Sequence, residues 1–206
     1  MSKNTDPVYS RNVVEFVAVA NEYCKYAEHA SEIKGDELLR ILQRILPLMY
    51  LKASLLPALE TYFEDGNEKF VMESDWNQVH DSFRKQFGTA DDYPEVFTAL
   101  SPDTDTPVMS GISEDLADIY QDMKNFLLLY QTGTTEVMND ATWECRMNFE
   151  NYWGQKLVNS LRAIHRFIYS GEKIESLEEA EDQDGSRDTK EWFISKRQRE
   201  FREDGE

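Results

Sequence analysis

The sequence predicts an all-α protein, an antiparallel helical bundle of four long helices with extra short helices. Three observations carry this. Apolar residues recur at three- and four-residue steps through most of the 206 residues, the spacing that lines up one face of a helix. Valines and isoleucines fall in that same phase, so no run alternates as a strand would. Glycine or proline separates the periodic runs, at Gly35, Pro57, Gly88, Gly133 and Gly171. Each apolar stripe has to find another, and helices joined in series do so as a bundle.

The first helix is expected over residues 12–31, where Val13, Phe16, Val17, Ala20, Cys24 and Ala27 share a face and Ser10 or Asn12 supplies the cap. Asp36 opens a second through Leu38, Leu39, Leu42, Ile45 and Leu46. Pro47 should kink or end it, with residues 48–56 resuming until Pro57. Ser74 opens a shorter helix through Trp76, Val79 and Phe83 to Gly88. Residues 89–112 read mostly as loop, with one short helix from Asp92 and Pro94 to Leu100. Ser113 caps a helix through Leu116, Ile119, Met123 and Phe126, and the longest helix runs from Thr135 to Tyr169, with Gly154 a weak point or a close-packing position. Trp143, Phe149, Tyr152 and Trp153 on that helix should be at least half buried.

These elements form one domain over residues 1–171. An acidic linker, 172–185, follows, with seven acids against Lys173 up to Asp184. Residues 186–206 form a basic, aromatic terminal helix or tail: Trp192, Phe193, Ile194 and Phe201 lie among Arg187, Lys190, Lys196, Arg197, Arg199 and Arg202. The tail is expected to dock on its own acidic bundle or on a neighbouring copy.

The formal charge of −18 repels phosphate backbones and anionic lipid, which argues against nucleic-acid and membrane partners. Residues 1–12 lack the basic-then-apolar layout of a signal peptide, and charges interrupt the most apolar stretch, 38–59. Cys24 and Cys145 lie far apart, as small hydrophobes do in a reducing compartment. The expected location is the cytoplasm.

Catalytic constellations are sparse. A carboxylate-bridged metal pair in a bundle uses Glu-x-x-His, but Tyr26, Asn77 and Arg162 stand three residues before His29, His80 and His165. There is no glycine-rich phosphate loop and no strained nucleophile turn, so no cofactor is expected. Glu114, Asp118 and Asp122 form an i, i+4, i+8 row that can hold Mg²⁺ and a phosphate, with Arg162 or Arg166 as counter-cations. An acidic first helical turn explains the same residues. The stretch NFENYWGQKLVNSLRAIHRF offers the stronger candidate, a polar seam over Asn148, Asn151, Gln155 and Arg162, bordered by Tyr152, Trp153 and His165. Its three amides should face a groove and find partners there.

Two stretches, VVEFVAVANEYCKYAEHA from Val13 and WECRMNFENYWGQKLVNSLRAIHRF from Trp143, resemble an uncharacterised bacterial all-helical family, domain of unknown function 5063, over residues 13–169. The resemblance implies a bacterial, cytoplasmic helical domain and brings no catalytic residue, substrate or cofactor with it. The expected function is a non-enzymatic interaction or regulatory protein with a protein partner. The alternative is a Mg²⁺-dependent hydrolase of nucleotides or other phosphates.

Overall fold

A computed structural model describes residues 6–94 and 108–175. The fold is all-α. Among the described residues six α-helices follow in order: α1 (Arg11–Glu28), α2 (Gly35–Ala53), α3 (Glu73–Phe87), α4 (Ile112–Tyr130), α5 (Thr135–Asn148) and α6 (Gly154–Ser170). A π-helical turn, Phe149–Trp153, joins the last two. The tail beyond Glu175, with its expected docking, and the expected helix toward Leu100 lie outside the described residues.

α4 is the central element and packs against α1, α3, α5 and α6. Its apolar residues spread over more than one face, with Ile112, Leu116, Ile119, Met123, Phe126, Leu127 and Leu129 all buried. α2 packs on α1 and α6. Neighbours run antiparallel. Lys52 near the end of α2 bonds Glu15 near the start of α1 at 2.6 Å, and Asp115 to Asp122 on α4 meet Ser160 back to Asn148 on the long helix. An aromatic stack fills the centre. Trp153 is fully buried between Phe16 and Phe149, with ring centroids 6.4 and 4.8 Å away, and donates its indole N–H to the Cys145 carbonyl at 3.2 Å. Trp143 and Phe149 are partly buried, and Tyr152 only just reaches half, at 47% exposed.

Several expectations need correction. Pro47 does not end α2. It sits on the exposed side, where the one missing backbone bond opens to water, and the helix continues to Ala53, short of the expected Leu56. Two three-residue strands, β1 (Asp92–Pro94) and β2 (Met109–Gly111), pair antiparallel where only loop and helix were expected. At three residues each they are too short for alternation to register.

Ser113 is not the cap of α4 either, for the helix begins at Ile112. Its amide and hydroxyl both donate to Asp91, each at 2.7 Å, and Asp91 is fully buried with Arg84 bonded to its second oxygen at 2.7 Å. A carboxylate from a distant segment thus satisfies the orphan donors at the start of α4 and complements its dipole.

The connector between α2 and α3, residues 54–72, has little regular structure, yet helix side chains hold it. Asp140 accepts from the amides of Tyr62 and Phe63 at 2.8 and 2.9 Å, and Asn125 from those of Phe70 and Val71 at 2.8 and 3.1 Å. Asn139 donates to the Glu60 carbonyl at 2.7 Å.

Candidate functional site

Two places gather polar side chains around α6. The first is the seam between α4 and the long helix. Lys156 lies 3.1 Å from Asp115 and 2.9 Å from Asp118. Asp118 also accepts from the Trp76 indole at 2.8 Å and the Tyr152 hydroxyl at 2.5 Å. Asp115 accepts from the hydroxyls of Tyr93 and Ser160, and Asp122 from the Asn148 amide at 2.6 Å.

Burial sets the electrostatics here. It raises the Asp115 carboxyl, against the pull of Tyr93, Lys156 and Ser160. It raises Asp122 to about 6, with Asn148 and Lys69 pulling the other way. Burial would lower the Lys156 ammonium, but Asp118 and Asp115 together outweigh it and hold the group charged. Tyr152 is pushed up to about 12, first by burial and then by its bond to Asp118. A partly buried cation with two carboxylates and four further donors is a network whose members satisfy one another.

The π turn aims this seam. Adding one residue to the helical repeat lets Tyr152 reach Asp118 while Trp153 enters the core. Gly154 is required there. Its amide donates to the Phe149 carbonyl, and a Cβ would stand 2.3 Å from that oxygen and 2.9 Å from the Phe149 ring.

The second place is a groove of about 660 Å³ between α2 and α6. Pro47, Val158 and Leu161 form its floor, and Gln43, Arg44, Arg162 and His165 its rim. Arg40 stands one turn before Arg44, and Arg166 one turn after Arg162, all four exposed. None of these arginines has an ion pair among the described residues; Arg162 donates to the Pro94 carbonyl at 3.1 Å.

The local sequence explains the charge. Residues 38–53 and 154–170 contain no aspartate or glutamate, although the chain holds 40 acids. The two helices that carry these stretches pack against each other, with Arg40, Arg44, Arg162 and Arg166 exposed along them, while Lys52 turns to Glu15, Lys156 to the seam, and Asp36 and Glu37 open α2.

The family model for Domain of unknown function (DUF5063) matches residues 7–170. The chain belongs to this family. It is also similar to a solved structure, protein BF1032 from Bacteroides fragilis, at 39% identity and a TM-score of 0.72, over 81% of this chain and 98% of that one. No curated protein matches. The DUF5063 match covers α1 through α6, and so both the seam and the groove.

Within this DUF5063 domain the expected site residues divide three ways. Asn148 and Tyr152 belong to the seam. Arg162 and His165 belong to the α2–α6 groove. Trp153 is core. Asn151 and Gln155 are exposed and bond within their own helix, to the Met147 carbonyl at 2.8 Å and to Asn159 at 3.0 Å. The amide row therefore does not line one groove, because the π turn rotates its two halves apart. Of the alternative trio, Asp118 and Asp122 face the long helix, while Glu114 is exposed beside them and Asp115 takes the inward position. Among the described residues no group of three or more His, Cys, Asp or Glu has metal-binding geometry, and no helix is long and apolar enough to cross a membrane.

The reading by single helices missed Asp115, Lys156 and the α2 side of the groove. The signal for the groove was present, as two acid-free stretches, 38–53 and 154–170, in a strongly acidic chain.

Proposed function

We propose that the protein is a non-enzymatic interaction protein of the cytoplasm that takes an acidic, apolar-anchored polypeptide segment into the α2–α6 groove. The observation that carries the reading is the pairing of two stretches without acids, 38–53 and 154–170, which sets Arg44 and Arg162 on the rim of an apolar floor, with exposed Arg40 and Arg166 one turn beyond them, on a chain of charge −18. Arginine side chains around an apolar strip suit a partner that brings carboxylates at its edges and an aliphatic residue at its centre. The chain's net negative charge turns acidic partners away from its acidic faces, which favours a basic patch such as this one by position as well as charge. The seam's carboxylates support the same reading, since they are engaged with donors of this chain. Cys24 and Cys145, both buried and free, fit a reducing cytoplasm.

Fluorescence anisotropy tests this with a labelled 12-residue peptide of leucine pairs between glutamates. Saturable binding is expected at low salt. Arg44→Glu together with Arg162→Glu should weaken it about tenfold, since each reversed rim charge is worth up to about 1 kcal/mol. Absence of peptide binding, or binding of a single-stranded oligonucleotide in its place, overturns the proposal.

A further inference from the structure

We infer that the pocket between α5 and the connector of residues 54–72 binds an organic cation, an alkylammonium or guanidinium head group. It shares no lining residue with the α2–α6 groove and does not depend on what that groove takes. Its volume is about 180 Å³. That is below the roughly 300 Å³ at which sites for drug-sized ligands begin, so it suits one small head group.

Local structure makes the pocket. The connector turns at Gly66, whose φ of +76° lies in the left-handed region that glycine favours. Before that turn, the Tyr62 and Phe63 amides donate to Asp140 at 2.8 and 2.9 Å. After it, Asn67 and Lys69 reach Glu144 at 3.0 and 2.5 Å. Asp140 and Glu144 stand one turn apart on α5. The loop is thus tied to the helix at both ends, and the pocket lies between, with Phe63 and Glu64 of the loop and Trp143 of the helix in its wall.

Charge and rings set what can enter. Three carboxylates line the pocket, Glu64, Asp140 and Glu144, and among the described residues only Glu144 has an ion pair, with Lys69. Asp140 is 3% exposed, and its donors are all neutral: two backbone amides and the Asn139 side chain at 3.0 Å. A buried carboxylate with neutral donors alone lacks a counter-charge, and a cation in the pocket supplies one. Phe63 and Trp143 add aromatic surface, whose negative faces attract cations most strongly where water is excluded.

The same wall excludes other ligands. An anion would meet three carboxylates. A bare divalent metal wants a cage of oxygens, and both Asp140 oxygens are already committed to the loop amides. A cation that carries its own carbon uses both the charge and the rings. The grips on the backbone fix the frame, while the exposed Phe63 and Glu64 tune which head group is taken. That head belongs either to a free amine or to a lysine or arginine side chain, and the test separates the two.

The test follows the Trp143 indole N–H of the full chain by NMR, assigned through its loss in Trp143→Phe. The probes are choline, its uncharged carbon analogue 3,3-dimethylbutan-1-ol, N-methylguanidinium, and capped glycine peptides with one central lysine or arginine. A saturable shift is expected with choline or N-methylguanidinium, at least about tenfold tighter than with the alcohol. Glu64→Gln and Phe63→Leu, both at exposed positions, should each weaken the cation about threefold, the size of an exposed charge or ring contact. Binding of either peptide identifies a polypeptide side chain as the occupant, and binding of the free heads alone a small amine; both uphold the inference. Equal affinity for the alcohol overturns it. So does the lack of a saturable shift with every cation, or cation binding unchanged when Glu64→Gln and Phe63→Leu are combined.

Discussion

Replacing Asp122 by asparagine should stabilise the protein, and by an amount that depends on pH in a defined way. Burial moves the Asp122 carboxyl from 3.8 to about 6, more than its bond to Asn148 and the field of Lys69 pull it down. At about 1.4 kcal/mol per pH unit, that displacement corresponds to about 3 kcal/mol against the charged form. Asp122 is only partly buried and water screens part of the cost, so about 1–2 kcal/mol is expected. The direction follows from proton counts. Between pH 4 and 6 the folded chain holds this proton and the unfolded chain has lost it, so stability falls as pH rises through that window. Below pH 4 both states are protonated and the penalty is gone. Asparagine never ionises, and its Oδ1 still accepts from Asn148. The stability of Asp122→Asn relative to the parent should thus grow by about 1–2 kcal/mol from pH 4 to 6.5 and then level off. Urea titrations followed by tryptophan fluorescence at fixed ionic strength, from pH 4 to 8, measure this. A difference that is flat or shrinks with rising pH would refute the reasoning.

Gly154→Ala should lower the melting temperature although alanine is the better helix former. The propensity gain of about 1 kcal/mol is opposed by overpacking against a backbone oxygen 2.3 Å away, which costs about 1–3 kcal/mol. A higher melting temperature would mean that the π turn relaxes freely into α-helix. The two cysteines should both be silent to an aromatic disulfide reagent in the native protein and both titrate in urea, because burial raises each thiol well above its ordinary value. One fast-reacting thiol in the native state contradicts the burial of Cys24 or Cys145.

Much of the bundle was legible because long amphipathic helices announce themselves by periodicity. α1, α4 and α5 begin within a residue of their expected starts at Asn12, Ser113 and Thr135. What failed depended on contacts across the sequence. Asp91 cannot be recognised as the cap of α4 until the chain brings it 22 residues back to Ser113. The π turn leaves no mark in the spacing except Gly154, and without it the amide row appears to run straight from Asn148 to Arg162. Asp115 is indistinguishable in sequence from its neighbour Glu114, because both acids suit a first helical turn. Only packing decides that Asp115 turns inward to Lys156. Arg162 and His165 were identifiable as candidates, but their surroundings belong to α2, and no inspection of one helix reveals the face of another.

The connector from residue 54 to 72 has a consequence for how the family can vary. Irregular surface segments are usually where insertions and deletions accumulate, because their backbones answer only to solvent. Here Asp140 and Asn125 each grip two consecutive amides, seven residues apart from Phe63 to Phe70, with Glu60 fixed by Asn139 just before them. Adding or removing a residue between those grips would misplace one pair of amides against its acceptor. That would deprive a buried carboxylate or amide oxygen of backbone donors it now holds. The segment between Phe63 and Phe70 should therefore hold its length among relatives as strictly as a helix does, while its exposed side chains drift.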